Sequence, residues 1–138
     1  MKTLNKTTLI ILLFTIVMSA CQSNTSTESK TVNEPSVFFK NIQNGAILFS
    51  PFLVEMGVEG MEVEAAGEIN ALKGHHHIII NSDFITDGDI VPANAQHIHF
   101  GGGQIETTLD LDAGNYSLTL QFADGLHQSY GEGMSKTI

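Results

Sequence analysis

Tryptophan and arginine are missing from this 138-residue chain, and cysteine occurs once. A single thiol excludes an internal disulfide, and Cys21 lies so close to the N-terminus that the rest of the chain has neither a cysteine nucleophile nor a thiolate ligand. A soft-metal site must therefore use histidine, with methionine as the only sulfur. Positive charge is also scarce: six lysines stand against fifteen acidic residues, a formal charge of -9. Removing residues 1–20 takes away Lys2 and Lys6 but no acid, so 4 lysines and 15 acids remain and the charge becomes -11. Such a surface argues against nucleic acid and anionic lipid headgroups as partners and favours attraction of cations. The motifs HExxH and GxSxG are absent, and no Gly-Lys-Ser/Thr follows Gly101-Gly102-Gly103, which reads as a turn or bulge.

Long apolar runs are limited to one, Leu9 to Met18, which is too short to span a bilayer as a permanent helix. It follows Lys2 and Lys6 and leads into Met18-Ser19-Ala20-Cys21, the order of a signal peptide. With the only cysteine at the cleavage point, residues 1–20 resemble a bacterial lipoprotein leader, although Met18 stands where leucine is usual. That resemblance implies acylation of Cys21, anchoring to the membrane of the cell envelope, and an outer-membrane location facing the periplasm. Several acyl chains meet the requirement of more than one lipid for stable anchoring. Gln22 to Pro35 is polar and has Val32 as its one aliphatic residue, so residues 21–35 read as the lipidated cysteine and a disordered tether. Fully extended, the tether reaches roughly 46 Å.

From Ser36 onward the pattern has period two. SVFFKNI (36–42) reads as a first strand, and PFLVEMGVEG alternates Phe52, Val54, Met56 and Val58 on one face, which makes Met56 a core residue. Residues 60–73 form an acidic connection with Glu62, Glu64 and Glu68. Asp83, Asp87 and Asp89 lack the order of a calcium loop and read as turn formers. Ile105, Thr107, Leu109 and Leu111, then Tyr116, Leu118, Leu120 and Phe122, alternate on either side of Ala113-Gly114-Asn115, the pattern of a hairpin. MSKTI closes the chain as a short edge strand. Together these segments predict an all-β fold for 36–138, an immunoglobulin-like β-sandwich of about seven short antiparallel strands.

Five of the six histidines fall in two of these strands, GHHHIII (74–80) and QHIHFGGG (96–103). Strand alternation sets His75 and His77 on one face and Ile78 and Ile80 on the other, and likewise His97 and His99 against Ile98 and Phe100. With the apolar pairs facing the core, His75, His77, His97 and His99 form a surface patch if the two strands are neighbours. Residues i and i+2 lie roughly 7 Å apart at Cα, so two imidazoles can converge on one ion at about 2.0 to 2.1 Å. His127, in the loop ADGLHQSYG, is the fifth candidate ligand. His76 points inward or toward a strand end, where a histidine usually satisfies a backbone group.

The order NG-A-hydrophobic-x-SPF, GVEGMEVEAAG, GHHHIIIN, HIHFGGGQIETTLDLDAG and LQFADGLHQSYG resembles the bacterial domain of unknown function 4399, marked by GHHH, over about Val37 to Ile138. The resemblance implies an exported β-rich domain and no particular reaction. Three function classes therefore follow from the site. One is a binder of a transition metal ion, copper or zinc, through His75, His77, His97, His99 and His127. The second is a non-metal module that uses the same face for a glycan, peptide or protein partner, or as a pH sensor. The third is a metal-using enzyme, for which Glu106 and Asp124 are general-base candidates that no spacing singles out.

Overall fold

The computed structural model describes residues 33–138. The expected leader (1–20), the acylation site Cys21 and the tether up to residue 32 lie outside the described residues. Within them the period-two segments form eight strands: β1 (Ser36–Phe39), β2 (Phe52–Glu59), β3 (Glu62–Val63), β4 (Lys73–Ile80), β5 (His97–His99), β6 (Glu106–Leu109), β7 (Leu118–Ala123) and β8 (Ser135–Thr137). A single 3-10 turn, Glu132–Met134, precedes β8. The strands make two sheets, one ordered β1-β2-β6 and the other β3-β4-β7-β8, with β5 paired to β4. Strand β1 packs on β7 and β8, which closes the two sheets into a β-sandwich.

The faces follow the alternation. Val54 and Met56 from β2, Ile78 from β4, Leu109 from β6, and Leu120 and Phe122 from β7 point into one core, joined by Val37, Phe100, Leu118 and Met134. Each large side chain buried here contributes about 1.5–3 kcal/mol relative to its exposed state. Strand β4 lies inside its sheet, against β7 along one edge and β3 and β5 along the other.

Three expectations about pairing need correction. Among the described residues β3 pairs with β4 in parallel, Glu62 opposite Lys73, so the strands are not all antiparallel. The segments around residues 105–122 do not form a hairpin: β6 pairs with β2, Leu109 opposite Phe52, while β7 pairs with β4, Leu120 opposite Ile78. Between Leu109 and Leu118 the chain crosses from one sheet to the other. Leu109 and Leu111 of one segment and Leu118, Leu120 and Phe122 of the other still turn to the same core, while Ile105 and Tyr116 are exposed, so the alternation fits either arrangement and does not select the partner. The first strand is also shorter than 36–42, ending at Phe39.

The outer face of β4 and β7 is not open to solvent. Residues 81–96 run across it, tied down where Thr119 donates its hydroxyl to the Ser82 carbonyl (2.8 Å) and Gln121 Oε1 accepts from the Ile85 amide (3.0 Å). Ser129 fastens the same loop by donating its hydroxyl to the Ile85 carbonyl (2.7 Å). In consequence Thr119, Gln121 and Ile79 are buried although they face away from the core.

Candidate metal centre

The histidine-bearing face of β4 lies under this cover. In register, His77 is opposite His99 and Ile79 opposite His97 on one side, and His75 is opposite Ala123 on the other. His75 and His77 are 0% and 2% exposed, so the cluster is a sunken site and not the surface patch expected. His99 is exposed at its mouth and His127 is half-buried.

Four rings point the same nitrogen at one another. His75 Nε2 lies 3.0 Å from His77 Nε2 and 3.1 Å from His99 Nε2, and His99 Nε2 lies 3.0 Å from His127 Nε2. The candidate ligand atoms of His75, His77 and His99 all fall within 4.8 Å of one another. Each Nε2 carries either one N–H or one in-plane lone pair, so each takes part in one hydrogen bond. Four such atoms make at most two hydrogen bonds, yet three close contacts are present. Hydrogen bonding alone therefore leaves one contact unsatisfied, whereas a cation among the rings would accept a lone pair from each. Ligand nitrogens at about 2.0–2.1 Å from one ion are about 2.9 Å apart at a right-angled edge and about 3.3 Å apart at a tetrahedral one. The observed contacts lie between these values.

The protonation states favour the same chemistry. Burial, followed by the neighbouring His99 and His127, lowers His75 to about 4, against an opposing pull from Asp124. Burial and the surrounding imidazoles lower His77 to about 3, and burial and His127 also lower His99. At neutral pH the His75 and His77 rings are uncharged, the form a metal ion requires. Nδ1 of His75 and Nδ1 of His77 are buried without a hydrogen-bond partner. When Nε2 of such a ring presents its lone pair, Nδ1 carries the proton.

Two other histidines stand apart. His97 shares the face of His99 but sits one register step beyond the cluster, and its Nδ1 is 2.8 Å from Asn94 Oδ1. The structure does not bring it to the other four. His76 points into the core as expected, with its ring 5.0 Å from that of Phe122, but neither ring nitrogen has a hydrogen-bond partner, contrary to the backbone-satisfying role expected. Burial, then Lys40 and His75, lowers it to about 4.

Gly101, which sequence reasoning did not assign to the site, and Asp124, which it offered only as a general-base candidate, help to build it. A Cβ on Gly101 would overlap the His99 ring at Cε1 and Nε2, so the bare backbone there leaves room for that imidazole. Asp124 accepts hydrogen bonds from the amides of Leu126 (2.8 Å) and Gln128 (2.9 Å), which shapes the turn carrying His127. The sequence signal for Gly101 was the glycine run after β5, read only as a turn or bulge, and that for Asp124 is the turn-forming Asp-Gly pair three residues before His127.

No curated protein and no solved structure matches the chain. The model of the family described as Domain of unknown function (DUF4399) matches residues 54–138, from within β2 to the end of the chain. That span includes every strand histidine and the His127 turn. It is well over half of the 138 residues, and the chain belongs to the DUF4399 family.

Proposed function

We propose that this protein binds a transition metal ion, copper or zinc, through the Nε2 atoms of His75, His77 and His99 with His127 as fourth ligand. The convergence of these four nitrogens is the observation that carries the reading. Imidazole suits both metals, and the negative charge of the chain raises the local concentration of cations. Two deeply buried ligands and an exposed His99 make a site that holds an ion firmly and still admits it from solvent. The non-metal module expects a row of accessible rings, and the burial of His75 and His77 favours metal binding over it.

Calorimetric titration with zinc and with copper, at neutral and mildly acidic pH, tests the reading on the natural protein and on His75→Ala/His77→Ala and His99→Ala/His127→Ala. One ion per chain, lost in both double variants and weakened by acid, is the expected result. Binding that survives His75→Ala/His77→Ala sinks it. The leader resemblance adds an envelope lipoprotein acylated at Cys21, anchored in the outer membrane and facing the periplasm. Mass spectrometry of the membrane fraction tests this part separately, since Cys21→Ser must then abolish lipid attachment.

A further inference from the structure

We propose that Asp124 is the positioning residue of this metal site: its carboxylate builds the turn that presents His127 and supplies the negative charge that balances the bound dication. The inference rests on the metal reading above. Asp124 directly follows β7, whose last residue Ala123 lies opposite His75. Its Oδ1 accepts from two backbone amides, Leu126 at 2.8 Å and Gln128 at 2.9 Å. Its own amide donates to the Gln128 carbonyl at 2.9 Å, and its carbonyl accepts from the His127 amide at 3.0 Å. Four bonds from one residue thus close the five-residue turn from Asp124 to Gln128. His127 sits inside it at φ 69, a left-handed conformation that a residue with a Cβ keeps only when its surroundings enforce it. The Val91 amide completes the enforcement by donating to the His127 carbonyl (2.9 Å). Held in this way, His127 brings Nε2 to 3.0 Å from His99 Nε2.

Charge gives the second half of the argument. Four neutral imidazoles leave the full charge of a divalent ion uncompensated in a sunken site, which is costly at low dielectric. Asp124 is itself only 6% exposed. It directly follows Ala123, which lies opposite His75 in the sheet, so its charge sits beside the cluster. It is not one of the candidate ligands that lie together, and its Oδ1 is committed to the turn. It therefore acts through His127 and through space, and substitution of groups behind the ligands of a metal site typically lowers affinity about 10- to 100-fold.

The test loads the full chain in detergent with cupric ion and compares it with Asp124→Asn, Asp124→Ala and His127→Ala by electron paramagnetic resonance and competition titration. Asparagine retains an oxygen that accepts both amides but carries no charge. Asp124→Asn should keep the four-nitrogen spectrum of the natural protein and bind about tenfold more weakly. Asp124→Ala should reproduce the three-nitrogen spectrum of His127→Ala and lose about 10- to 100-fold in affinity. An Asp124→Ala protein with the natural spectrum overturns the positioning role. An Asp124→Asn protein of natural affinity overturns the charge role. Failure of the natural protein itself to bind copper or zinc is a different outcome, which removes the metal reading and this role with it.

Discussion

In a Gly101→Ala variant the new methyl carbon meets His99 Cε1 and Nε2, the same nitrogen that faces His75 and His127. Ordinary contact between such atoms needs about 3.5 Å, so the ring must retreat by about 1 Å or more. Metal–ligand distances tolerate about 0.2 Å, so a retreat of that size takes His99 out of reach as the proposed ligand. The fold has little at stake. Gly101 does not have a positive φ, alanine restricts the unfolded chain, and the exposed His99 has open space to turn into. We therefore expect copper and zinc affinity to fall at least tenfold while apo stability stays within about 1 kcal/mol, or about 5 °C in Tm. Gly102→Ala is the control, because the atoms nearest its Cβ belong to the flexible side chain of Gln104. Calorimetric titration and thermal melts of the two variants decide the matter. Natural affinity in Gly101→Ala, or an equal loss in Gly102→Ala, would refute the account of how His99 is held.

Acid should destabilise the metal-free protein. In the unfolded chain His75, His76 and His77 titrate near 6.5, but in the folded protein near 4, 4 and 3. Between these values the unfolded state binds more protons, so stability is fully present above pH 6.5 and falls as pH drops towards 3. Each ring held at about 4 accounts for about 3 kcal/mol, and urea midpoints across pH 7 to 4 that do not move would contradict this. His76→Leu removes two buried nitrogens that have no partner and should leave stability unchanged or raise it by about 1–3 kcal/mol, with metal affinity intact; a lower urea midpoint counts against it. His97→Ala should leave copper and zinc affinity unaltered, because that ring is bonded to Asn94, and a loss matching that of His75→Ala would place it in the site after all.

The fold class and the core were legible in the sequence because they depend on which face a side chain takes. Val54, Met56, Ile78, Leu120 and Phe122 are buried where the alternation puts them. Pairing was not legible, since a strand with the same two faces serves in either sheet, and β6 and β7 accordingly went to different partners. The site divides along the same line. Alternation places His75, His77, His97 and His99 on one side of their sheet, but register decides which of them meet. With His99 opposite His77, His97 falls opposite Ile79 and leaves the cluster. Burial of the cluster depends on residues 81–96, whose hold on Thr119 and Gln121 comes from bonds more than thirty positions apart in the chain. His127 carries no periodic signal at all. Its place is set by a turn that Asp124 closes, and that turn follows directly from the end of β7 beside His75. Three of the proposed ligands thus come from sheet register and the fourth from a loop anchored to the same sheet. A substitution that shifts β5 by one residue should therefore destroy the site even if every histidine remains in the chain.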